Sequence, residues 1–412
     1  MGGRDPGAVS RVTQLHMMLR DAAWLRPDRA RAISQILLVA AAVCLALLLY
    51  AQLSRPGGGG DAPDVARDFA SFWTAGRMAL GGHAAEVYLP AAHLAAQQAL
   101  YGAGIAGYAA FFYPPVFLPL CAALALLPFG VAAILWVVAS LLAYAVALRR
   151  LLPLPGGVVA ALAYPAVFIN AGFAQNGFVS AALFGFAAVW LERRPVCAGI
   201  CLGALAYKPQ LGVLVPVALA AAGRFRAFAA AGAMVLLLVA VSAAVFGIDT
   251  WQSFLADASE ARRWMQDGNV GFAKMTSAFA AVRLFGGSIV AAYAVQFVVA
   301  LGAIITLVAI ARRRPGGAAE ISATAAATLL ATPFSLHYDF VVLAVPLAWL
   351  LTQASRTAWR PWEKTVLAAV WLWPIVALLA AIAADIPLAP LAPAALLLLM
   401  LRRVVENRRT VR

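Results

Sequence analysis

The sequence predicts an all-α integral membrane protein of about twelve transmembrane helices, with an amphipathic helix on the outer face after the first span. Three observations predict it. Of the 412 residues, 64% are hydrophobic and 12% charged, whereas an average soluble chain carries about 25% charge. Apolar runs follow one another along the chain with short loops between them. Basic residues gather where those runs end: Arg4 to Arg31, Arg149 with Arg150, Arg193 with Arg194, Arg224 with Arg226, Arg312 to Arg314, Arg356 to Lys364, and Arg402 to Arg412. This is the positive-inside pattern of cytoplasmic loops. The net charge of +14 therefore reads as topology with some attraction for anionic lipid, and not as a nucleic-acid surface.

Residues 1–31 form a basic cytoplasmic tail. The first apolar run, 32–53, starts late, is long, and is followed by no small-x-small cleavage pattern, so it reads as an uncleaved span. Residues 54–110 are the longest polar interruption. Within them Phe69, Phe72, Trp73, Gly76 and Leu80 recur at helical spacing before the stop at Gly81 and Gly82, which describes an amphipathic helix in the outer interface. Further spans fall at 111–148, 156–172, 177–191, 196–207, 211–222, 227–247, 289–311, 318–333, 340–352, 365–383 and 388–401. With every basic cluster inside, that makes twelve, both termini cytoplasmic. Two stretches leave alternatives open. Residues 111–148 are too long for one span, and LPFG divides them into a re-entrant piece plus a span. Residues 196–222 are either one broken helix or a tight hairpin. Cys44, Cys121, Cys197 and Cys201 all lie inside apolar runs with no CxxC, so neither a disulfide framework nor a zinc site is indicated. GGGGD at 57–61 lacks the lysine and hydroxyl of a phosphate-binding loop and reads as a tether.

Lys208 is the most unusual residue, with more than a dozen uncharged residues on either side. A lysine at that depth costs about 3 kcal/mol on the lenient insertion scale and usually serves a cavity. Pro209 and Gln210 after it suggest a broken helix opening onto one. The other polar outliers converge on the same face: Arg67 and Asp68 at the start of the amphipathic helix, Tyr113 in FFYPPVF, Gln175 and Asn176 in NAGFAQNGF, Lys274 in GFAKMTSAF, and His337, Tyr338 and Asp339 in TPFSLHYDF. A lipid-phosphate-linked sugar donor suits this set. Its phosphate leaves readily, so the chemistry needs a base for the acceptor hydroxyl, worth about 10²–10⁴ in rate, and fixed positive charge for the departing phosphate. No metal and no cofactor is required.

The order of DFASFWTAGR, FFYPPVF, AQNGF, the Lys208 segment, KMTSAF and TPFSLHYDF resembles glycosyltransferase family 87, over roughly residues 64–350. The resemblance implies a GT-C fold and transfer of a hexose, mannose in particular, from a polyprenyl-phosphate donor to a lipid or glycan acceptor. The reaction would invert the anomeric carbon, without metal, at the outer face of the inner membrane. It implies Asp68 as base and functional roles for Lys208, the turn His337 to Asp339, Gln175 and Asn176. Read from the residues themselves, Tyr113 and Lys274 join Lys208 and His337 around the donor phosphate, and Arg67 joins Gln175, Asn176, Tyr338 and Asp339 as substrate contacts. Ala174 departs from the glycine that many members carry there. Residues 32–352 would then be the catalytic core, 353–401 the helices that shape a lipid groove, and 402–412 a second cytoplasmic tail.

Each residue also has a plainer role open to it. Asp68, or Asp64, can cap the helix, and Lys208 can snorkel to the headgroups. Tyr113 and Tyr338 can anchor in an aromatic belt, His337 can bond a backbone carbonyl, Asp339 can bond within its turn, and Lys274 and Arg67 can be solvated. Two other classes compete. A flippase for lipid-linked sugars would more often show matching broken helices in two halves, and no internal repeat is present. A structural assembly factor would not need Asp68, Lys208 and His337 together.

Overall fold

The computed structural model describes residues 11–53, 66–101 and 108–409. Asp64, the tether and the start of the outer loop lie outside them. The described residues are helical, with no strand and one isolated antiparallel bridge between Met275 and Leu336. Among the described residues six helices are long and apolar enough to cross a bilayer: those that contain 27–48, 129–151, 225–246, 289–311, 337–357 and 363–384. Several turn large apolar side chains outward, such as Leu236 and Phe297. A surface of that kind suits lipid, not water, and the chain is a multi-pass membrane protein.

The other apolar helices are shorter and lie inside. Gly177–Trp190 and Gly317–Ala331 are lined with glycine, alanine, serine and threonine and are buried along most of their length. Small residues let helices approach closely where lipid removes the hydrophobic drive to associate. The run 111–148 does divide. A 3-10 turn at Pro115–Phe117 leads into helix Leu118–Ala125, and Pro128 starts helix Phe129–Leu151. The run 156–172 also divides, at Pro165, into Gly157–Leu162 and Pro165–Phe173.

Residues 195–222 form a hairpin, which decides between the two alternatives. Arg224 donates from Nη1 to Glu192 Oε2 at 3.1 Å and from Nε to Glu320 Oε2 at 2.8 Å. The two ends of the segment therefore meet at one place, here called the basic end. Helix Pro195–Ala204 leaves it, a 3-10 turn ends at Tyr207, and the chain returns through Val215–Ala221. Helix Phe225–Phe246 then leaves again, parallel to the first arm. A Cβ on Gly199 would stand 2.3 Å from Ala227 O, and one on Gly203 2.4 Å from Ala231 O, so the two backbones touch and only glycine fits. An arm of thirteen residues rises about 20 Å, against about 30 Å of hydrocarbon. Lys208, at the tip, is thus recessed in the molecule.

Helix Arg67–Leu80 corrects one expectation. It is amphipathic, but its apolar face docks on protein instead of lipid. A Cβ at Gly76 would come 2.1 Å from Cys121 O of helix Leu118–Ala125. Phe69 and Phe72 enter a cluster with Phe117, Phe129, Trp136 and Tyr113, with ring centroids 5.2–6.3 Å apart.

Candidate active site

The turn after helix Pro165–Phe173 organises the site. Ala174 takes the left-handed conformation, φ 49°, the backbone state that favours the glycine absent here. The turn is tied on every side. Asn170 Nδ2 donates to Gln175 O at 3.0 Å, Gly177 N donates to Asn170 Oδ1 at 2.9 Å, and Trp136 Nε1 donates to Ala174 O at 2.9 Å. These bonds fix where Gln175 and Asn176 point.

Asp68 reaches the turn from the first turn of its helix. Ala66 donates its N–H to Gly172 O at 2.9 Å, pinning the helix start, and no side chain caps it. Asp68 is therefore not a cap. Its Oδ2 accepts from Gln175 Nε2 at 2.9 Å. The carboxyl is half-buried, and burial pushes its pKa above the usual carboxylate range. The Gln175 bond and the cations Arg67, Lys208 and Lys274 pull the other way without prevailing.

From Gln175 the bonds continue inward. Its Oε1 accepts from Tyr113 Oη at 3.3 Å and from Asn176 N at 2.9 Å. Asn176 Oδ1 accepts from Lys208 Nζ at 3.2 Å, and Lys208 donates to Asp339 Oδ1 at 2.5 Å. Asp339 Oδ2 then accepts from Leu336 N at 3.1 Å. Lys208 is 2% exposed, so it does not snorkel, and its ammonium stands 5.1 Å over the Tyr338 ring. Asp339 bonds within its turn and pairs with Lys208 at once. One hydrogen-bonded chain thus joins Asp68, Tyr113, Gln175, Asn176, Lys208 and Asp339.

The remaining candidates stand around this chain. Arg67 is half-buried and Lys274 exposed, and both lie within electrostatic reach of Asp68. His337 is buried at 3%, with the Phe340 ring at 5.6 Å and the carbonyls of Ala273 and Pro374 nearby. Its ring nitrogens make no hydrogen bond of ordinary geometry, and none links it to the chain from Asp68.

Several positioning residues were not singled out from the sequence. Asn170 locks the turn. Ser180 Oγ and Tyr207 Oη lie 2.6 Å apart, and Tyr207 Oη donates to Asn176 O at 3.2 Å. Thr276 and Ser335 bond through their hydroxyls at 2.6 Å, and Thr276 N donates to Ser335 O at 2.9 Å, holding the 332–340 turn. Their only signal was a polar residue beside a motif. Among the described residues no three His, Cys, Asp or Glu side chains gather as metal ligands.

The arrangement can take a proton at Asp68 and hold polar groups between Asp68 and a buried ion pair. No curated protein and no solved structure matches the chain. A model of glycosyltransferase family 87 matches residues 111–333, more than half of the sequence. The match includes Tyr113, Gln175, Asn176, Lys208 and Lys274 and stops short of Asp68 and the 337–339 turn, which hydrogen bonds tie directly to it. Spanning both the fold's core and the greater part of its polar site, that match makes the chain a membrane glycosyltransferase, a member of glycosyltransferase family 87.

Proposed function

We propose that the protein transfers a hexose, mannose in particular, from a polyprenyl-phosphate donor to a hydroxyl of a lipid or glycan acceptor. Asp68 takes the acceptor proton while the new C–O bond forms at the anomeric carbon. The bond from that carbon to the phosphate oxygen breaks, its electron pair leaves with the polyprenyl phosphate, and the carbon inverts. Lys274, Lys208, His337 and Tyr113 surround the departing phosphate, while Gln175, Asn176, Tyr338, Asp339 and Arg67 orient the sugar. The observation that carries this reading is the Asp68–Gln175 contact, which sets a carboxylate of raised pKa at the head of the buried polar chain. A base poised toward the operating pH is what acceptor activation requires. The twelve-span GT-C topology, with residues 32–352 as catalytic core and the site facing the exterior of the inner membrane, belongs to the same proposal.

The test is sugar transfer by purified protein in nanodiscs, with short-chain polyprenyl-phosphate sugars and a membrane lipid extract as acceptor. Transfer by wild type and its loss in a folded Asp68→Ala is the expected result. Transfer that survives in Asp68→Ala removes the base. Absence of transfer with every donor, by a protein that instead moves the donor across a vesicle bilayer, returns the flippase.

A further inference from the structure

A cavity of about 570 Å³ lies beside the polar chain, between helix Ile248–Gln266, helix Ile289–Ala311 and residues 332–334. Nothing in the site described above uses it. It adjoins that site along the backbone at three points: Phe112 precedes Tyr113, Gln210 follows Lys208 by two residues, and Phe334 precedes His337 by three.

Its wall combines charge, amide and ring faces. Arg262 is exposed and has no anionic partner among the described residues; the nearby Glu260 pairs with Arg263. Gln210 is half-buried, and its amide makes no hydrogen bond among the described residues. Gln266 Nε2 donates to Tyr293 Oη at 3.0 Å, which fixes that hydroxyl at the rim. Phe112, Phe334 and Tyr293 supply flat apolar faces. Convergent polar groups on an aromatic wall are what a polar ligand needs for orientation, and a free guanidinium selects an oxyanion by forked donation. Glycosyl transfer brings two ligands to one reacting carbon. The chain from Asp68 to Lys208 accounts for the base and for one ligand; the second must sit next to it.

We propose that this cavity is the acceptor subsite and that it takes a hydroxylated, anionic headgroup, with Arg262 on the anion and Gln210 on the hydroxyls. This rests on the transferase reading above. Gln210 and Arg262 are binding residues in this scheme, and neither touches the reacting atoms.

Direct binding to the purified full-length protein tests it. The probes are dihexanoyl phosphatidylglycerol, anionic with free hydroxyls, and dihexanoyl phosphatidylcholine, zwitterionic with none. Wild type is expected to prefer the glycerol headgroup. Arg262→Gln should weaken that binding at least tenfold and Gln210→Ala severalfold, while Arg226→Gln, at the basic end, should leave it unchanged. Binding of a short-chain polyprenyl-phosphate sugar should stay within twofold in all three. Equal binding of both probes by wild type, or an Arg262→Gln that binds as wild type does, overturns the subsite. So does an Arg262→Gln that loses donor binding instead, which would assign the cavity to the donor. Because these are binding measurements, a protein that shows the headgroup preference but transfers no sugar would count against the transferase reading alone.

Discussion

Asp68 is pulled in two directions: burial raises its pKa, and Gln175 with three cations lowers it. The net rise has a sign that can be followed in two measurements. A carboxyl that binds its proton more tightly when folded loses stability as pH rises from the unfolded value, about 3.9, through the folded one. Asp68→Asn removes that loss and still accepts from Gln175, so it should melt at or above the wild-type temperature near neutral pH. Its transfer rate should nevertheless fall by about 10²–10⁴ if the base is gone. A melting temperature and a rate that fall together would instead make Asp68 structural. Gln175→Ala provides the complementary case. With the hydrogen bond lost, the Asp68 pKa rises further, and the acid limb of kcat/KM against pH should move to higher pH. A merely structural glutamine would lower the rate without moving that limb. Asp68 and Lys208 were legible in the sequence because each breaks a local rule, a carboxylate on a helix face beside aromatics and a charge inside an apolar run. Asn170, Ser180 and Tyr207 were not, because their function depends on partners that only the folded turn brings together.

The hairpin 195–222 shows the same division at the scale of an element. Its two apolar runs and the lysine between them are plain in the sequence, but the choice between broken helix and hairpin rests on the Arg224–Glu192 contact, which joins residues 32 positions apart. Two changes test the packing that holds its tip. Lys208→Met leaves Asp339 as a buried carboxylate with only the Leu336 N–H, and breaking one side of a buried pair costs about 3–5 kcal/mol. Lys208→Met with Asp339→Asn should recover most of that loss in a thermal melt, yet transfer no sugar. Full recovery of activity by the double variant would reduce the pair to a structural role. The first arm has no such slack. Gly203→Val drives a branched side chain into the Ala231 carbonyl, and overpacking of this kind costs about 1–3 kcal/mol. A Gly203→Val that melts with wild type would mean the two parallel helices are not in contact.

At the scale of the whole molecule, the ends of the helices sort into two groups. Glu192, Arg224 and Glu320 meet at the basic end, where Gly317 N also donates to Glu192 Oε1 at 2.7 Å. Lys208 and the turns holding Gln175 and Asp339 lie about one short arm away. In the proposed topology the positive-inside pattern assigns the basic end to the cytoplasm, which puts Asp68 on the exterior side. The assignment matters chemically: with the molecule the other way up, Asp68 would meet donors and acceptors of the cytoplasmic leaflet. Six long helices follow from composition and length. The shorter buried ones, such as Gly317–Ala331, are less legible, because a helix that touches only protein need not span the bilayer and its alanines look the same in either setting. Single cysteines placed in a background lacking Cys44, Cys121, Cys197 and Cys201 decide the orientation. Arg193 and Leu80 are both exposed, so each tolerates the change. A membrane-impermeant maleimide added to intact cells should label Leu80→Cys and reach Arg193→Cys only after the membrane is opened. The reverse pattern would turn the site inward, and the donor would then have to be one presented on the cytoplasmic leaflet.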